Sequence, residues 1–63
     1  MKLLKLVSVD QVQAGDTLIL GASRYVVTSI DDEAHGREFR LKDFEGYPKC
    51  KFIGEDERIA IEL

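Results

Sequence analysis

The chain has 63 residues, 44% of them hydrophobic and 33% charged, with twelve acids against nine bases and a formal net charge of −3. That length holds one domain, residues 1–63, whose core only just offsets chain entropy, which argues against an enzyme with a deep, water-excluded pocket. The mild acidity disfavours a dedicated duplex-DNA binder, and a single cysteine, Cys50, excludes an internal disulfide and any zinc-ribbon spacing.

The opening Met1-Lys2-Leu3-Leu4-Lys5-Leu6-Val7 has the charged start of a secretory leader. Lys5 interrupts its apolar stretch, Asp10 follows, and no small-residue cleavage site is present. No run approaches a transmembrane span, so no membrane partner is expected. One unpaired cysteine fits a reducing compartment. The expectation is a soluble cytoplasmic chain, entire as written.

Residues 3–7 form an apolar run too short for a helix to hold alone, so a strand is predicted. Ser8-Val9-Asp10-Gln11 has capping-box spacing, which predicts one helical turn with Val9 and Val12 against the core. Gly15-Asp16 marks a turn, residues 17–20 a strand, Gly21-Ala22-Ser23 a second turn, and residues 24–30 a β-branched, aromatic-bearing strand. Asp31-Asp32-Glu33-Ala34-His35-Gly36 reads as a long hairpin loop with positive φ near its end, at glycine.

Residues 37–43 alternate, with Phe39 and Leu41 inward and Glu38, Arg40 and Lys42 outward. After the turn Glu45-Gly46-Tyr47-Pro48, residues 49–52 alternate again, with Cys50 and Phe52 inward. An acidic turn, Gly54-Glu55-Asp56-Glu57, leads to a final strand with Ile59, Ile61 and Leu63 on one face. The pattern predicts an all-β fold, a small antiparallel barrel of five to six strands with at most one helical turn. Closure would remove exposed strand edges. The predicted core is Val12, Leu18, Leu20, Val26, Ile30, Phe39, Leu41, Cys50, Phe52, Ile59 and Ile61.

Val12-Gln13-Ala14-Gly15-Asp16-Thr17-Leu18, then Tyr25-Val26-Val27 and Ile30, resembles the opening of small SH3-like barrels, of the kind found in short bacterial and phage proteins. The resemblance implies an SH3-like barrel and a binding role, in a group that includes peptide binders, RNA-binding modules and structural subunits. The chain lacks tryptophan and the Ala-Leu-Tyr-Asp-Tyr-like run of signalling SH3 domains, so proline-rich peptides are not the expected ligand.

No residue set announces catalysis. His35 stands beside Asp31, Asp32 and Glu33, but the spacing fits neither a calcium loop nor a zinc motif, and a solvated loop is the plainer reading. Cys50 alternates inward between Lys49 and Lys51 as a small core hydrophobe. The acids cluster in turns, where water solvates them. No catalytic residue, cofactor or metal is therefore expected.

Residues 36–53 carry five bases (Arg37, Arg40, Lys42, Lys49, Lys51) against three acids (Glu38, Asp43, Glu45), although the whole chain is acidic. If the two strands pair, Arg40, Lys42, Lys49 and Lys51 form a basic stripe on one outward face, flanked by Phe44 and Tyr47, with Tyr25 near. Such interleaving suits single-stranded RNA or DNA, the aromatics stacking bases and the cations following phosphates. Solubility and edge protection explain the same residues more simply. The reading that asks least of absent residues is a non-enzymatic accessory or regulatory module docking on a protein through Arg40, Lys42, Lys49, Lys51, Tyr25 and Tyr47. Nucleic-acid binding through hairpin 37–52 is the alternative. A monomer or a homodimer is expected, the latter through an unpaired final strand.

Overall fold

The computed structural model describes residues 3–63; Met1 and Lys2, at the charged opening that resembles a leader, lie outside the described residues. Six strands, β1 (Leu4–Ser8), β2 (Thr17–Leu20), β3 (Ser23–Glu33), β4 (Gly36–Asp43), β5 (Pro48–Gly54) and β6 (Arg58–Glu62), are joined by tight turns and one 3-10 turn, Val9–Gln11. All pair antiparallel in one sheet ordered β1-β6-β2-β3-β4-β5. Among the described residues the chain is all-β with a single helical turn. Among the described residues pairing stops at β1 and β5, so the sheet is not closed into a barrel and has two edges. The final strand expected to lie unpaired is instead interior: β6 pairs with β1 on one side and β2 on the other.

The turns follow from their residues. Gly21, at φ 63°, opens a two-residue turn between Leu20 and its partner Ser23. At the Gly15-Asp16 corner, Gly15 takes φ 98°, and the Asp16 carboxylate accepts the Gln13 N–H at 2.8 Å. The corner is tied to β3 by two bonds: Gly15 N–H donates to the Val27 carbonyl (2.8 Å), and Val27 N–H to the Asp16 carbonyl (2.9 Å).

The 3-10 turn forms where the capping-box spacing placed it. The Gln11 side chain reaches back to accept the Ser8 N–H at 3.1 Å, and the Ser8 hydroxyl donates to Asp10 at 2.6 Å. The turn carries Val9 and Val12 onto the sheet, where both are buried.

The β3–β4 connection is tighter than expected. β3 runs on to Glu33, which pairs with Gly36 across a two-residue turn, Ala34-His35. The positive φ falls on His35, at 66°, rather than on Gly36. Gly36 answers a different need: a Cβ there would collide with the Ile53 carbonyl and lie 2.6 Å from the end of the Phe52 ring.

One face of the sheet holds the core. Val7, Leu18, Val27, Phe39, Leu41, Ile53 and Ile59 are buried there under Val9 and Val12, with Leu18 and Phe39 at 0% exposure. Leu20, Tyr25, Ile30 and Ile61 pack against this cluster while partly exposed. Three expected core residues lie elsewhere. Cys50 and Phe52 are exposed, and Val26 points to the outer face.

Val26 is displaced by a β-bulge. Val27 pairs with Leu41 but Ser29 pairs with Arg40, so Thr28 is an extra residue in β3. Before the bulge Tyr25 and Val27 face the core; after it Ile30 does. Simple alternation from Ile30 would have turned Val26 inward.

Candidate functional site

Cross-strand partners in an antiparallel pair project from the same face, so the β4–β5 register places every side chain of the hairpin. Leu41 pairs with Lys49, Phe39 with Lys51 and Arg37 with Ile53. These six share the core face. Lys42 pairs with Pro48, Arg40 with Cys50 and Glu38 with Phe52 on the outer face. The single basic stripe is therefore divided: Arg40 and Lys42 lie on one side of the sheet, Lys49 and Lys51 on the other. Lysines fit the core side because β5 is an edge. Their positions overhang the rim, and only Ile53 reaches the core.

The bases differ in what they already hold. Arg37 Nε donates to Asp32 at 2.8 Å and Nη1 to the Val12 carbonyl at 3.4 Å, so it clamps the 3-10 turn to β4. Arg40 stands 3.7 Å from Asp31. Lys49 Nζ lies 5.3 Å from the centroid of the Tyr25 ring, a cation–π arrangement on the core-side rim. Lys42 and Lys51 are exposed and have no carboxylate within 4.0 Å among the described residues. Tyr47, 66% exposed, ends the β4–β5 turn, with its N–H donated to Asp43 Oδ1 at 2.9 Å. The structure thus brings Tyr25 and Lys49 together, and sets Lys51 two residues along the same side.

The hydrogen bonds at the ends of each edge strand set which way its backbone points. Asp43 N–H donates to the Tyr47 carbonyl (3.1 Å), and Glu55 N–H donates to the His35 carbonyl (2.8 Å). Hydrogen-bonded and non-bonded pairs alternate in an antiparallel ladder. Between those two ends, Lys49, Lys51 and Ile53 bond to β4, while the N–H and C=O groups of Cys50 and Phe52 point away from the sheet. Pro48 offers only a carbonyl, and Gly54 is satisfied by Glu57, whose carboxylate accepts its N–H at 2.7 Å. On the other edge, Leu63 N–H donates to the Leu3 carbonyl at 2.9 Å, so the outward groups are those of Leu4 and Leu6.

The large apolar side chains exposed to water follow these edges. They are Leu3, Leu4 and Leu6 at β1, Leu63 beside Leu3, Phe52 on β5, and Phe44 and Tyr47 in the turn leading to β5. The sequence pattern alone misses Leu3, Leu4 and Leu6, because residues 3–7 are given no inward face, and misses Phe52, because alternation sends that ring to the core; Leu63, set on one face with Ile59 and Ile61, is exposed. The alternation Leu4-Lys5-Leu6 is the available signal for the first.

An open cleft of about 530 Å³ lies between the 3-10 turn and the β3–β4 hairpin, lined by Val9, Asp10, Asp32, Glu33, Gly36, Arg37 and Glu55. Its one cation, Arg37, is engaged with Asp32. The Ser8 hydroxyl, and then the backbone amide of Asp10 itself, hold the Asp10 carboxyl below its ordinary value. No group of three or more metal-ligating side chains occurs among the described residues, and no helix there is long and apolar enough to cross a membrane.

Compared with protein-family models, curated proteins and solved structures, the chain matches none.

Proposed function

We propose that the protein is a non-enzymatic docking module, an open variant of the SH3-like barrel, whose β5 edge accepts an extended segment of a protein partner. The observation that carries this reading is the outward N–H and C=O of Cys50 and Phe52 on a strand that pairs with β4 on one side and, among the described residues, with nothing on the other. Main-chain bonds give such strand addition its affinity, and alternate side chains give its specificity. Phe52, Tyr47 and the Tyr25–Lys49 pair supply apolar and cationic contacts beside that backbone. The small size and cytoplasmic character expected from the sequence suit an accessory or regulatory subunit.

Single-stranded nucleic acid is the second reading. Lys49, Lys51 and Tyr25 on one side of the sheet favour it, but Arg40 and Lys42 on the other side leave that stripe half as charged as the sequence suggested.

The test selects peptides from a displayed random library on the folded protein. Cys50→Pro removes one outward N–H and no bond to β4, so binders at this edge are lost on that variant while its thermal melt stays cooperative. Binders indifferent to Cys50→Pro would overturn strand addition at β5. Retardation of labelled single-stranded RNA or DNA at low salt, steeply lost as salt rises, would favour the second reading.

A further inference from the structure

The two sides of β5 make different demands on whatever lies along it. In a strand added antiparallel to β5, residues opposite Cys50 and Phe52 form the hydrogen-bonded pairs, because those two present their backbone outward. Residues opposite Lys49 and Lys51 then form the non-bonded pairs, in which Cα atoms approach to about 4.5 Å and side chains lie closer. Lys51 has no carboxylate within 4.0 Å among the described residues, and Lys49 has only the Tyr25 ring. A cation at each of two alternate, closely approached positions calls for an anion at each. Opposite charges there are favourable and like charges are not. On the outer side the same strand meets Phe52, 48% exposed, and Cys50, which suit apolar side chains.

We infer that the occupant of the β5 edge is an extended protein segment in which acidic residues alternate with apolar ones, its carboxylates facing Lys49 and Lys51. The inference rests on the docking reading above. A second copy of this chain meets like charges in the two registers that are centred between Cys50 and Phe52 or on Cys50. The two-fold register that uses both Cys50 and Phe52 sets Lys51 directly against Lys51 of the second copy, and the register centred on Cys50 sets Lys49 against Lys51. Pro48 and the two lysines thus work against those two registers while admitting an acidic strand.

Fluorescent nine-residue peptides whose cores alternate valine with glutamate, or valine with lysine, test this against the intact protein. The glutamate peptide binds more tightly than the lysine peptide by about tenfold, and the double variant Lys49→Glu/Lys51→Glu reverses the order. Both lysines are exposed, so that variant keeps its fold. Binding also weakens with salt, as exposed charge pairs do. A glutamate peptide N-methylated at alternate amides, which cannot donate to Cys50 and Phe52, loses binding without any change to the protein.

If the lysine peptide binds equally well or better, the acidic assignment is overturned while edge docking stands. The acidic assignment also falls, alone, if the glutamate peptide fails while library peptides bind in a Cys50→Pro-sensitive way. If the N-methylated peptide binds as well as its parent, or no peptide of any kind depends on Cys50, edge docking falls and the acidic assignment with it. A concentration-dependent dimer abolished by Cys50→Pro would name a second copy as the occupant and overturn the inference.

Discussion

The Thr28 hydroxyl donates to the Arg40 carbonyl at 3.0 Å, at the point where β3 carries one residue more than β4. The bond gives the bulge a partner on the neighbouring strand. The bulge in turn sets which residues of β3 meet the core, Tyr25 and Val27 on one side of it and Ile30 on the other. Thr28 is exposed, so its contribution comes through the hydrogen bond rather than through buried area.

Thr28→Ala is therefore expected to cost about 0.5–1.5 kcal/mol, the net value of one such bond. Deleting Thr28 is a different perturbation. It removes the bulge and turns Val27, 2% exposed, out of the core or pulls the Gly15-Asp16 corner out of register. The deletion is expected to leave no cooperative transition, because a domain this small has only about 3–5 kcal/mol to lose. Urea titration of the two variants separates them. A cooperative deletion variant would show that the bulge is dispensable.

Gly36 tests the close approach of β4 and β5. A Cβ on Gly36 meets the Ile53 carbonyl, the Phe52 ring at 2.6 Å and the Gly54 Cα at 3.0 Å. Backbone cannot yield as a flexible side chain does, so Gly36→Ala is expected to destabilise by about 1–3 kcal/mol. At Gly54 the nearest atom is the Glu57 carboxylate end, at 3.3 Å, which can move. Gly54→Ala is expected within about 1 kcal/mol of the parent. Equal losses in thermal melts of the two variants would contradict the crowding argument.

Much of the fold is legible in local signals, and the site is legible only in part. Turn residues bound five of the six strands, the shortness of an apolar run gives the first, and capping chemistry places the turn at Val9–Gln11. Val12, Leu18, Phe39, Leu41 and Ile59 are buried as the patterns predict. What the patterns miss is parity. A bulge leaves no mark in a run as uniformly β-prone as Arg24-Tyr25-Val26-Val27-Thr28-Ser29-Ile30, so alternation turns Val26 inward where the fold turns Val27. In β5 the alternation Lys49-Cys50-Lys51-Phe52 invites the usual rule of apolar in, charged out. That rule assumes a strand covered along its length. At an edge, lysine stems overhang the core rim, and an aromatic on the outer face covers Gly36.

Asp10 gives the pH prediction. Its carboxyl accepts the Ser8 hydroxyl at 2.6 Å, the main reason its pKa lies below the ordinary 3.8. A carboxyl depressed by folding contributes stability that is complete above the unfolded pKa and is lost as pH falls through the folded one. Stability is thus expected to fall with acidification from just above 3.8 downward. NMR titration of the Asp10 carboxyl should give a midpoint below that value, returning toward it in Ser8→Ala. An Asp10 midpoint unmoved by Ser8→Ala would remove the hydroxyl as the cause.

The parity of β5 has the largest consequence for the docking surface, and two substitutions read it out. Ile53, 4% exposed, is the β5 side chain that reaches the core, so Ile53→Ala is expected to cost about 2–4 kcal/mol. Cys50 lies on the outer face beside Arg40, exposed, so Cys50→Ala is expected to change stability by no more than about 0.5 kcal/mol. A thiol reagent should also modify Cys50 in the native protein without waiting for unfolding. If Cys50→Ala is the costly change and the thiol is protected, β5 is turned over. Lys49 and Lys51 would then join Arg40 and Lys42 on one face, and the continuous basic stripe, with nucleic acid as its ligand, would become the stronger reading.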